Sequence, residues 1–94
     1  MMDVSNQLEE EEFTLGMPVE FNTMIVTKGR ETRIDENTFE LQKEGYRIYP
    51  IDIPIEVRKT KSGEMTGQAI VQKLELSHTN TILTYRLINL NSTN

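Results

Sequence analysis

Few residues of this chain belong to types that do chemistry, and their spacing scatters them. There is no cysteine and a single histidine, His78. That removes thiolate nucleophiles, disulfides, thiolate zinc sites and any histidine-rich metal cluster. His78 stands in the polar run Ser77-His78-Thr79-Asn80 between two apolar stretches, where turn geometry and exposure explain it better than proton transfer does. The carboxylate groupings are Asp35-Glu36, in a turn-rich stretch, and Asp52 with Glu56, which alternate with apolar residues; a solvated surface is the ordinary reading of both. Acid–base catalysis needs two titratable groups converging in one pocket. The sequence also holds no phosphate-cradling glycine loop, nucleophile elbow or metal-ligand spacing. The expectation is a protein that is not an enzyme, with no catalytic residue, no cofactor and no metal.

One constellation keeps a chemical reading open. Tyr46-Arg47-Ile48-Tyr49 and Arg58-Lys59-Thr60-Lys61 interleave aromatic and basic side chains. On one surface, Tyr46, Arg47, Tyr49, Arg58, Lys59 and Lys61 would make a stacking-plus-phosphate patch of the kind that binds single-stranded nucleic acid. The plainer alternative puts Tyr49 on an apolar face, Tyr46 over a turn and the basic trio at a hairpin tip. Charge favours the plainer one. The net charge is -5, and Asp3 with Glu9, Glu10, Glu11 and Glu12 supply all of it. Residues 16–94 balance acids against bases, whereas proteins that grip phosphate backbones carry a cationic excess.

The elements that must position these residues are strands. Residues 81–90, TILTYRLINL, carry large apolar side chains on both alternating faces, Leu83, Tyr85 and Leu87 on one and Ile82, Ile88 and Leu90 on the other, as expected of a strand covered on both sides. Residues 67–76 precede it across the polar run at 77–80, so the two form a hairpin. The apolar parity slips within 68–76, the mark of a bulge or of a strand passing from one sheet to another. Residues 19–26 read as a first strand. In 37–45, Asn37, Glu40 and Gly45 match the punctuation of a short helix, but Phe39 and Leu41 alternate with polar neighbours, and a hairpin with Lys43-Glu44-Gly45 as its loop is the favoured reading. Tyr49, Ile51, Ile53, Ile55 and Val57 alternate cleanly and are expected to share the core face. Pro50 and Pro54 each remove a ladder donor from the other face, which makes Pro50, Asp52 and Pro54 an incompletely paired interaction edge.

Together these signals predict an all-β domain over residues 16–94, a small antiparallel barrel or roll of about six strands joined by meander-type hairpins. Residues 1–15 read as an acidic flexible tail, favoured over a short helix capped by Ser5. No stretch has the apolar length of a membrane span, and the acidic start is unlike a signal peptide, so a soluble cytoplasmic protein is expected. With no convergent chemistry and an open edge, the sequence points to a non-enzymatic interaction module that meets a protein partner or a second copy of itself. Single-stranded nucleic-acid binding is the alternative.

Residues 16–26, GMPVEFNTMIV, then residues 45–50, GYRIYP, and residues 81–87, TILTYRL, with the ending NSTN, resemble a family of short uncharacterised proteins from Gram-positive spore-forming bacteria, classed as a domain of unknown function. The likeness covers residues 16–94. It implies a cytoplasmic bacterial β domain and carries over no catalytic residue.

Overall fold

A computed structural model of the chain describes residues 18–90, and every regular element in them is a strand. These are β1 (Val19–Phe21), β2 (Met24–Val26), β3 (Thr32–Arg33), β4 (Thr38–Glu44), β5 (Tyr46–Ile48), β6 (Pro54–Arg58), β7 (Met65–Ser77) and β8 (Asn80–Leu90). Six form one sheet in the order β2-β6-β7-β8-β4-β3, and β1 with β5 forms a small second sheet. The expected all-β roll is therefore present, though its pairing is mixed. β2 runs parallel to β6 and β1 parallel to β5, while the remaining pairs are antiparallel. The acidic segment and the C-terminal NSTN tail lie outside the described residues.

The β7–β8 hairpin is the spine, and its chemistry is legible locally. His78 and Thr79 sit at φ 51° and 63°, the left-handed pair that a two-residue turn matching strand twist demands. A register shift between Val71 and Lys73 leaves Gln72 without a cross-strand partner. That bulge moves the inward row from Ala69 and Val71 to Leu74, the parity slip visible in the sequence. Gly67 is needed where β7 meets the end of β8, because a Cβ there would collide with the carbonyl oxygen of Asn89.

The core is the inner face of this sheet: Ile25, Leu41, Ile55, Val57, Ala69, Val71, Leu83 and Tyr85, with Tyr49 added from outside the strands. Phe39 stacks on Tyr85 with ring centroids 5.7 Å apart, and the Arg33 guanidinium lies 5.3 Å from the Phe39 centroid. This column covers one end of the core. Burial pushes the Tyr85 phenol well above its usual range, with Glu31 adding to the effect, and burial likewise raises Tyr49.

Three expectations change. First, residues 37–45 are neither a helix nor a hairpin. Gly45 does adopt the left-handed conformation, φ 83°, but the chain does not fold back on β4. It turns a corner, leaves the large sheet as β5 and crosses the inner face, delivering Tyr49 to the core and Ile51 to a parallel bridge with Val71 beyond β7. Second, the alternation from Tyr49 to Val57 does not survive intact. Asp52 is left-handed at φ 66° and its N–H donates to the Val71 carbonyl at 3.2 Å, so the chain reverses there. Tyr49, Ile55 and Val57 remain buried while Ile51 and Ile53 are 41% and 55% exposed. Third, β8 is covered fully on one face only, since Ile88 and Leu90 are exposed.

Candidate functional site

Strand order separates β2 from β4 by three intervening strands. Yet Thr27, Lys28 and Arg30, just past β2, and Leu41, Gln42, Lys43 and Glu44 of β4 line a single cavity of about 470 Å³. The sheet has curled until β2, at one margin, comes near residues 41–44 of β4, which β3 leaves unpaired, and the gap between them is a seam in an unclosed barrel.

Each wall of the seam has a local cause. On one side a tight turn follows β2, with Lys28 at φ 51°, Gly29 at φ 73° and the Arg30 N–H donating to the Thr27 carbonyl at 2.9 Å. This places Lys28 and Arg30 side by side at the rim. On the other, Phe39, Leu41 and Lys43 share one face of β4 opposite Tyr85, Leu83 and Thr81. The inward row thus ends in a lysine. The lining residues Glu44 and Arg47 flank the Gly45 corner, held by Thr81, which is fully buried. Its hydroxyl donates to the Gly45 carbonyl at 2.7 Å and accepts from the Arg47 N–H at 2.9 Å. The Gly45 N–H donates to the Thr79 carbonyl at 2.7 Å and the Thr79 N–H to the Tyr46 hydroxyl at 3.1 Å. The Arg47 side chain is then set by its Nε donating to the Glu44 carbonyl at 2.9 Å and by Glu20 at 3.3 Å.

The result is a cationic seam. Lys28, Arg30, Lys43 and Arg47 line the cavity against one carboxylate, Glu44. A smaller adjoining cavity adds Lys61 and Glu20 along the free margin of β2. Among the described residues only Arg47 of the four cations has an ion-pair partner. Partial burial lowers the affinity of the Lys43 amine for its proton, and the charges of Arg47, Lys28 and Arg30 lower it further, offset in part by the Glu20 carboxylate. Both effects mean that a positive charge is held there at a cost which an anion would relieve. In the adjoining cavity the buried Oδ1 of Asn22 has no hydrogen-bond partner among the described residues.

The residues singled out from the sequence are only partly united here. Arg47 and Lys61 reach the seam. Arg58 is committed elsewhere, bonding the Glu56 carboxylate at 2.8 Å and the Gly63 carbonyl at 2.7 Å, and Lys59 is an exposed residue past β6 whose carbonyl accepts from the Lys28 N–H at 2.9 Å. Tyr49 is 2% exposed, so its ring is no open stacking platform, and the half-buried Tyr46 holds the turn through its hydroxyl. Lys28, Arg30 and Lys43 were missed. The alternation of Phe39 and Leu41, extended by one step, would have placed Lys43 on the inner row.

A second feature lies on the β6-facing side of β7. β6 covers β7 only from Met65 to Ile70, and Ile51 meets it at Val71. From Gln72 to Ser77 the outer margin of β7 has no strand partner among the described residues. Its side chains are mostly exposed, Leu76 at 46%. Asp52 and Pro54 are exposed while Pro50 is half-buried, and Pro54 pairs with Ile70. The proline segment is thus a bend docked on β7, and the open edge begins just beyond it, flanked by exposed Ile51 and Ile53.

Comparison with known proteins places this architecture. The model of the family described as Domain of unknown function (DUF2584) matches residues 15–94. The chain belongs to this family. A relative bearing the name Uncharacterized protein YtmB, from Bacillus subtilis (strain 168), is 62% identical over 80 residues, which is 85% of this chain and 100% of the relative. The X-ray crystal structure of protein ytmB from Bacillus subtilis superposes with a TM-score of 0.80 at 61% identity, covering 85% of this chain and 99% of the other. At that identity, the strand architecture described here is that of the DUF2584 domain in a bacterial relative.

Proposed function

We propose that this DUF2584 domain is a non-enzymatic interaction module and that its partner at the β7 edge is a second copy of itself. The observation that carries the reading is the unpaired margin of β7 from Gln72 to Ser77. An exposed strand edge is a template for strand addition. Its sequence is self-complementary. In an antiparallel pairing with a two-fold axis at Leu74, Lys73 stands opposite Glu75 of the second copy, Glu75 opposite its Lys73, and the two Leu74 side chains meet on the other face. Directly opposed unlike charges stabilise cross-strand pairs and like charges destabilise them. The exposed side chains of Ile51, Ile53 and Leu76 add apolar area beside the edge. A six-residue edge belongs to the small class of interfaces, so a reversible dimer with a micromolar dissociation constant is expected.

Sedimentation velocity across a concentration series, combined with charge reversal, tests this. Lys73→Glu alone and Glu75→Lys alone each place like charges opposite one another and should abolish the dimer, whereas the double variant K73E/E75K restores opposite pairs and should restore it. A strictly monomeric wild-type protein refutes the proposal, as does a dimer indifferent to the single reversals.

A further inference from the structure

We propose that the seam between β2 and β4 is a phosphate-binding site, formed by Lys28, Arg30, Lys43 and Arg47 around the cavity that they line. This stands apart from the β7 edge, none of whose residues lines the cavity, and the two can fail separately.

Four observations converge. The cavity, about 470 Å³, is of the size that small-ligand clefts have. Its cations come from three separate segments, the turn after β2, the inner row of β4 and β5, so the fold and not a local charge run assembles them. Among the described residues Lys28, Arg30 and Lys43 carry no ion pair, leaving their donors free for a ligand. Finally, Lys43 occupies the inward-facing row whose other members, Phe39 and Leu41, belong to or pack on the core. A leucine or methionine there would extend the apolar row without holding a charge beside three other cations.

The ligand chemistry follows from the donors. Arginine forks and lysine ammonium groups on two sides of one cleft suit the tetrahedral oxygens of a phosphate, which accepts several charge-assisted hydrogen bonds at once. A planar carboxylate uses fewer of them. Neither Tyr46 nor Tyr49 lines this cavity. Binding therefore rests on the phosphate groups and not on base stacking, and the phosphates come either from a small polyphosphate or from the backbone of a single strand.

Isothermal titration at low salt with inorganic tripolyphosphate, and separately with an oligothymidylate, tests the site. The expected result is saturable tripolyphosphate binding that weakens about tenfold in Lys43→Gln and in Arg30→Gln, corresponding to 1.4 kcal/mol each, and that falls as salt is raised. Arg86→Gln removes the same charge from β8, at an exposed residue that does not line the cavity, and should leave affinity unchanged. Because Lys43 has no ion-pair partner among the described residues, K43Q should fold, and a thermal melt no lower than wild type confirms that its loss of binding is local. An oligothymidylate that binds more tightly than tripolyphosphate, with the same dependence on Lys43, assigns the phosphates to a strand backbone. Absence of binding to both probes overturns the proposal, and so does binding that K43Q and R30Q leave intact or that R86Q weakens equally.

Discussion

Replacing Thr81 with valine isolates the corner on which the seam is built. Valine has nearly the shape of threonine, so Thr81→Val opens no cavity and removes only the hydroxyl. That hydroxyl serves two backbone groups, donating to the Gly45 carbonyl and accepting from the Arg47 N–H, and neither regains a partner from the valine. A buried polar group left unsatisfied costs about 1–3 kcal/mol. Gly45 and Arg47 are half-buried, so the low end applies to each and the total is about 2 kcal/mol. With a urea slope of about 1 kcal/mol/M for a domain this small, the unfolding midpoint should fall by about 2 M with no change in slope. Thr81→Ser keeps the hydroxyl and loses one buried methyl, at about 1 kcal/mol, so it should lie between wild type and T81V. Urea melts followed by circular dichroism decide the matter. A T81V midpoint within about 0.5 M of wild type, or a serine variant less stable than the valine variant, refutes the argument that this side chain fastens the corner.

Two further outcomes follow from backbone strain and titration. His78 and Thr79 hold left-handed conformations that cost non-glycine residues, β-branched ones most; the double variant H78N/T79G keeps the backbone groups that meet Tyr46 and Gly45 and should raise stability by about 1 kcal/mol in the same melts. Burial raises the phenol pKa of Tyr85 and of Tyr49 in the folded state, so unfolded chains ionise first as pH climbs. The stabilisation is complete below about pH 10, the unfolded value, and is lost above it by up to 1.36 kcal/mol per pH unit for each phenol. Melts at pH 8 and pH 11 should show the fall, and Tyr85→Phe should roughly halve it; an unchanged slope in Y85F contradicts the assignment.

What could be read from the sequence was the chemistry of neighbours. The two-residue turn at His78-Thr79, the bulge beside Val71 and the left-handed Gly45 all announce themselves within a few residues. What could not be read was direction. Gly45 fits a hairpin loop as well as a corner, and the choice is made by the hydroxyl of Thr81, 36 positions away. Likewise the isoleucines at 51 and 53 continue a perfect alternation, and only the reversal at Asp52, fixed by a carbonyl of β7, turns them outward. The cationic seam was illegible for the same reason. Lys28, Arg30 and Lys43 look like dispersed surface charges until the sheet curls and sets β2 and β4 face to face.

A cylinder that stops one step short of shutting keeps its lining within reach of the solvent. If β2 and β4 were to zip together, each would gain the ladder of bonds its rim now lacks, and the molecule would become a sturdier object with nowhere to receive a guest. Lys43 on one wall and Lys28 with Arg30 on the other set like charges across the gap, and their repulsion works against that closure.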